Sequence, residues 1–246
     1  MRKQIPNLIT SLNLLCGCIA LLFAASGALV TAAIFVYLGI FFDFFDGLAA
    51  RSLGAQSKVG LELDSLADVV TSGVAPAVVM VQLLSEAFTG AYLDMAGMFG
   101  EGAWNHSWLR WMPFIGLLIA VASAYRLAKF NVDTRQTDSF IGLPTPANAL
   151  LILSIPLLLE FQASASLEAF LLQPWFLIVL TVLSCFLLNA EIKLFALKFK
   201  RWDFQSNKVR YFFLIGSVAA LVFLQFLAIP IIIVSYIVIS LLLPKQ

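Results

Sequence analysis

From Tyr211 to Leu243 no side chain carries a charge, and further long apolar runs precede that stretch from residue 11 onward. Such runs reach the ~20 residues that carry a helix across a bilayer core. Backbone amides in lipid must find partners within their own segment, so these runs read as helices. A hydrophobic share of 61% against 12% charged excludes an ordinary soluble domain. The sequence predicts one all-α integral membrane protein with about eight transmembrane helices. They fall near 11–27, 29–51, 61–84, 111–130, 146–162, 168–189, 211–227 and 229–243. Gly73 and Pro76 predict a kink in the third, and Pro230 a break between the last two.

This divides the chain into an interfacial segment (1–10), a six-helix catalytic region (11–189), a basic interfacial segment (190–210) and two additional helices (211–246). Arg2 and Lys3 precede an apolar run with no cleavage-site pattern, which reads as a retained membrane entry. Cys16, Cys18 and Cys185 all lie in apolar runs, an arrangement that suits packing and not a disulfide framework. In the basic segment, Lys193, Lys198, Lys200, Arg201 and Lys208 mix with Phe195, Phe199, Trp202 and Phe204. That mixture fits anionic headgroups and aromatic anchoring, with no need for nucleic acid. Of the 15 lysines and arginines, all but Arg110 fall on the side of the N-terminus in this topology. The positive-inside rule then predicts that both termini face the cytoplasm, as in the inner membrane of a bacterial cell.

Against this apolar background stand Asp43, Asp46, Asp64 and Asp68. The first pair is spaced i,i+3 and the second i,i+4, so each pair shares one helix face. Carboxylates are costly in lipid unless cations neutralise them. An all-oxygen cage of this kind suits Mg²⁺ or Mn²⁺, and two divalent ions there would bridge a pyrophosphate. Asp43, Asp46 and Asp64 are natural ligands; Asp68 either bridges or stays free to act as a base on a hydroxyl. At a lipid boundary, the residues alone predict metal-assisted phosphoryl transfer between a lipidic substrate and a small alcohol.

The aspartates, with Gly47, Ala50, Arg51 and Gly60, fill the pattern D-x2-D-G-x2-A-R-x8-G-x3-D-x3-D without departure. This is the signature of the CDP-alcohol phosphatidyltransferases, whose helical bundle the chain resembles. The resemblance implies metal binding by Asp43, Asp46, Asp64 and Asp68, with Asp68 also the catalytic proton acceptor. It implies contacts from Gly47, Arg51, Ser57 and Gly60 to CDP-diacylglycerol, and homodimerisation. Asn7 and Thr10 resemble the family's P-N-x-x-T segment, which closes over the nucleotide; the alternative is capping at the interface.

Two further stretches, Tyr125–Asn131 and Phe140–Pro146, are similar to the family's serine-using branch, which makes phosphatidylserine and releases CMP. A zwitterionic acceptor needs a cation for its carboxylate and acceptors for its ammonium. Arg126, Lys129, Asn131 and Thr145 are candidates for that pocket, with Arg126 the carboxylate partner. Glycerol 3-phosphate or inositol phosphate as acceptor would call for a denser cationic cluster than Lys129 and Arg135 provide. A cation-coupled transporter would show broken helices in matched halves, and no internal repeat is present.

Overall fold

The computed structural model describes residues 4–94, 108–133, 140–194 and 207–242, and these are mostly helical. Helix α1 spans Ile5–Ala25 and starts six residues earlier than the apolar run suggests, because Pro6 lies in its first turn with a preset φ. Asn7 and Thr10 therefore ride on α1 itself. Gly27, at φ +81°, turns the chain into α2, Leu29–Ser52. Ser57 caps α3, Lys58–Asp68, by accepting a hydrogen bond from the Gly60 amide at 3.0 Å.

Immediately after Asp68 the helix widens into a π-helical segment, Val69–Val74, and then continues as α4, Ala75–Thr89. Pro76 has no N–H to give the preceding turn. The Ala75 amide reaches back five residues to Val70 O, so the expected kink takes the form of a π-turn. Two 3₁₀ stretches, Trp108–Arg110 and Met112–Leu117, lead into α5, Leu118–Val132. After α6, Thr145–Phe161, comes a pair bent by 55°: α7, Ala165–Leu171, and α8, Pro174–Asn189. The sequence reading ran one helix through 168–189; Pro174 instead opens a new helix at its first turn. Finally α9, Lys208–Leu224, and α10, Ala228–Leu242, flank a 3₁₀ turn at Gln225–Leu227.

That last break precedes Pro230, which the first turn of α10 tolerates. A straight helix would hold Phe213 and Tyr236 about 34 Å apart. Their rings lie 5.8 Å apart, so α9 and α10 fold back on each other. Gln162, at the end of α6, clasps the turn: its Nε2 donates to Leu224 O at 3.2 Å and its Oε1 accepts from Leu227 N at 3.1 Å. By length and composition five helical stretches can cross a membrane, or six with the bent α7–α8 pair, while α6 is a shorter apolar helix. Most of the basic segment, including Lys198, Lys200 and Arg201, lies outside the described residues, as do His106 and Arg135.

The core forms where α1, α2, α4, α6 and α8 meet, around Ala20, Ala32, Val36, Met80, Leu83, Ile152 and Leu177. Small residues let helices approach closely in lipid. Gly17 of α1 is such a contact: an added Cβ would lie 2.9 Å from Thr71 Cα, a backbone atom with no room to give. Gly17→Ala is therefore expected to cost about 1–3 kcal/mol by overpacking. Gly216 on α9 meets nothing within 4 Å. Its alanine variant should melt at or slightly above the wild-type temperature in detergent, while Gly17→Ala melts clearly lower. Equal melting of the two would contradict this packing.

The 140–146 loop is strapped to the end of α8. Phe140 pairs with Leu194 and Ile141 with Lys193 in a two-stranded antiparallel ladder. Gly142 adopts φ +75° and donates to Ile192 O at 2.9 Å; a Cβ there would meet Leu188 O at 2.6 Å. No side chain fits this position. The strap fixes where α6 begins, and with it Thr145.

Candidate active site

The closing turns of α2 and the body of α3 bring three carboxylates together. One oxygen each from Asp43, Asp46 and Asp64 lies within 4.8 Å of the other two. Asp46 and Asp68 are buried, while Asp43 and Asp64 are partly buried. Helix α1 packs against both α2 and α3 and holds the cluster from behind. The Thr10 hydroxyl donates to Asp46 Oδ2 at 2.6 Å, with Pro6 O at 3.0 Å as its alternative acceptor. One turn on, Asn13 Nδ2 donates to Asp68 Oδ1 at 3.4 Å, and Asn13 O accepts from the Thr71 hydroxyl at 3.1 Å. Asp68 is thus tied both to α1 and, through Thr71, to the π-turn that follows it.

No lysine or arginine among the described residues forms an ion pair with these aspartates; the pair that is formed, Lys129 with Glu191 at 3.3 Å, lies elsewhere. Asp64 Oδ1 is buried without a hydrogen-bond partner. Gathered anionic oxygens with an orphaned lone pair and no paired protein cation among the described residues fit a divalent ion, and hard oxygen donors match Mg²⁺ or Mn²⁺ better than softer metals. Asp43, Asp46 and Asp64 form the convergent set, with Asp68 alongside.

Of the residues expected at the lipid donor, Asn7, Ser57 and Gly60 lie together, and Gly47 and Arg51 form a second pair on α2. A Cβ at Gly60 would stand 3.1 Å from both Asn7 Oδ1 and Ser57 Oγ, so these three meet where α3 begins. At Gly47 it would stand 3.7 Å from an Arg51 guanidinium nitrogen. The Arg51 side chain thus lies back along α2 over Gly47. Thr10 differs from its neighbours: it is buried and spends its hydroxyl on Asp46.

The four residues expected at the acceptor separate into two kinds. Arg126 is buried and its Nε has no hydrogen-bond partner among the described residues; α5, which carries it, packs against the π-turn that follows Asp68. Thr145 is buried with an unpartnered hydroxyl. Lys129 is instead engaged with Glu191. Asn131 exchanges hydrogen bonds with Ser65, at 3.0 and 3.3 Å, and so joins α5 to α3. A small cavity beside Arg126 and Lys129 is closed by Ile141, Leu188 and Asn189. Sequence reasoning missed Asn13, although Asn7, Thr10 and Asn13 recur every three residues in an apolar run. That polar stripe was a usable signal. Thr71 left none, since its role depends on how α1 crosses the π-turn.

The family model described as CDP-alcohol phosphatidyltransferase matches residues 3–186. Among similar proteins is the CDP-diacylglycerol–serine O-phosphatidyltransferase of Bacillus subtilis (strain 168), 38% identical over 148 residues, which are 58% of this chain and 70% of that protein. The like-named protein of Helicobacter pylori (strain J99) is 35% identical over 155 residues, 62% of this chain and 57% of that one. The archaetidylserine synthase of Methanothermobacter thermautotrophicus is 32% identical over 152 residues, 61% of this chain and 56% of the relative. The match thus spans little more than half the length of the latter two.

Proposed function

The chain belongs to the CDP-alcohol phosphatidyltransferase family, and on that premise we propose that it transfers the phosphatidyl group of CDP-diacylglycerol to the hydroxyl of L-serine. The observation that carries this reading is the buried Arg126, its Nε unpartnered among the described residues, on a helix that packs against the π-turn directly following Asp68. It sets a carboxylate-binding cation next to a proton acceptor and a phosphoryl-transfer centre, which is what an amino acid with a hydroxyl requires. The names of the relatives agree with it.

Asp43, Asp46 and Asp64, with Asp68 beside them, would hold the divalent ions, Mg²⁺ or Mn²⁺. When bound, these supply charge neutralisation and Lewis-acid polarisation to a pyrophosphate. Thr10 fixes the Asp46 carboxylate and Asn13 the Asp68 carboxylate. Asn7, Gly47, Arg51, Ser57 and Gly60 contact the donor, Arg51 through charge on the phosphate and the glycines by leaving room for it. Arg126 holds the serine carboxylate, with Thr145 on the same inner side, while Lys129 and Asn131 secure the edges of the pocket. Asp68 accepts the proton of the serine hydroxyl. The serine oxygen attacks the phosphorus bearing diacylglycerol, the bond to CMP breaks, and CMP leaves. Serine, lipid donor and catalytic groups are held in one orientation, which removes much of the entropic barrier.

Beyond the five or six stretches long and apolar enough by themselves, we count α6 as a short span, the α7–α8 pair as one and the α9–α10 hairpin as two, and so infer eight crossings. Eight crossings put both termini on one side, and the distribution of lysine and arginine makes that side, and the active site, cytoplasmic. A soluble nucleotide and serine then meet the lipid where both are at hand.

Arg126→Ala tests the acceptor assignment. We expect the KM for serine to rise at least tenfold, with the KM for CDP-diacylglycerol within twofold of wild type, since a hydrogen-bonded charge contributes about 1.5–3 kcal/mol. Equal loss for both substrates would remove Arg126 from the serine pocket.

A further inference from the structure

Asn148 lies one turn inside α6 and is fully buried, yet among the described residues neither Oδ1 nor Nδ2 has a hydrogen-bond partner. Leaving a buried polar group unmet costs about 1–3 kcal/mol, and no lipid relieves it. Its helical phase says which way it faces. Leu151 packs against Ile233 of α10 on the outer side of α6, whereas Ala149 and Ile152 join the central core with Val36 and Ala75. Asn148 and Thr145, three residues apart, share that inner side. There α6 packs against α2 and the π-turn, and α5 packs against the same π-turn, with Ser123 held against Gly73.

The inner wall so formed carries more unmet polar capacity. Ser72 of the π-turn, Ser123 and Arg126 of α5, and Thr145 each present a buried atom without a partner. Five buried residues with unmet polar atoms would be expensive as mere core. Their groups are complementary to one kind of ligand. Arg126 can only donate and so takes an anion. An ammonium can only donate and needs acceptors, and the amide oxygen is the strongest neutral acceptor on that wall.

Resting on the serine reading above, we infer that Asn148 is the specificity-determining residue for the acceptor's ammonium group. Its Oδ1 accepts from the ammonium while Nδ2 donates toward the carboxylate that Arg126 holds. The pocket thereby distinguishes an amino acid from a hydroxy acid of the same shape, and the hydroxyl is left pointing at Asp68.

Competitive inhibition separates this role from a structural one. L-Alanine keeps the ammonium and carboxylate but offers no hydroxyl, and propionate lacks the ammonium as well. The ratio of their inhibition constants against serine reads ammonium recognition alone. In Asn148→Leu the preference for alanine should fall about ten- to a hundredfold. In Asn148→Asp, isosteric but anionic, it should widen, with the KM for CDP-diacylglycerol unchanged in both. A packing role would move neither ratio. Unchanged ratios in both variants, in a protein that uses serine, would overturn the inference alone. A wild type that does not use serine would overturn the reading beneath it and this inference together.

Discussion

Asp68→Asn lowers the rate of phosphatidyl transfer by on the order of 10² to 10⁴, the range typical for losing a general base. The substitution removes the proposed proton acceptor and keeps the shape of the side chain and its hydrogen bond to α1. The amide oxygen still accepts from Asn13 Nδ2, which reaches Asp68 Oδ1 at 3.4 Å in the native protein. The tie from Asn13 to Thr71 is untouched. The variant should therefore melt near the wild-type temperature and retain binding of CDP-diacylglycerol, with the loss falling on kcat. Rapid mixing of preformed enzyme–donor complex with serine measures this directly. A variant that keeps more than a tenth of the wild-type rate would place the base elsewhere, and no histidine or cysteine adjoins the cluster among the described residues to replace it.

The second large effect concerns the metal. Chelation should abolish transfer, and Mg²⁺ or Mn²⁺ should restore it. The structure predicts a sharper signature in stability than in rate. Three carboxylates converge within 4.8 Å with no arginine or lysine paired to them among the described residues. At an effective dielectric of about 20, unit like charges ~4 Å apart repel by about 4 kcal/mol. Asp64→Asn removes one of these charges and keeps the shape. In chelator the variant should melt at or above the wild-type temperature. With metal at about a hundred times its dissociation constant, wild type gains about 2.7 kcal/mol. The variant, short of a ligand, gains much less, so the order of melting temperatures inverts. Melting curves with and without Mn²⁺ would show it, and a variant less stable than wild type in both conditions would deny that the carboxylates repel one another.

What the sequence revealed divides along physical lines. The aspartates stood out because charge is rare in lipid-length runs and because i,i+3 and i,i+4 spacing fixes a shared face. The structure gathers Asp43, Asp46 and Asp64 without help from distant sequence, since α2 and α3 are joined by a short turn. Features that depend on tertiary crossing were hidden. Thr71 meets Gly17 and Asn13 only because α1 lies across the π-turn. Asn148 is a neutral amide in an apolar helix and carries no motif.

Helical phase explains another difference. Asn131 is five residues from Arg126, which puts it about 140° around α5 and toward Ser65. Nearness in sequence grouped the two; the helix separates them. Proline was read as a breaker where it often starts or rides within a helix: the chain runs on through Pro76 as a π-turn, and Pro230 lies inside α10, after the break at Gln225–Leu227. Pro6 and Pro174 open helices, and so α1 begins early and the run at 168–189 divides.

The most direct measurement supplies the purified protein in detergent with CDP-diacylglycerol and Mn²⁺ or Mg²⁺, and offers labelled L-serine, glycerol 3-phosphate and inositol phosphate in parallel. The account predicts that label enters lipid from serine alone, with one CMP released per molecule of product. Label entering from a phosphorylated acceptor instead would keep the aspartate chemistry and contradict the serine pocket. Failure with all three, in a folded and metal-binding protein, would contradict phosphatidyl transfer to these acceptors altogether.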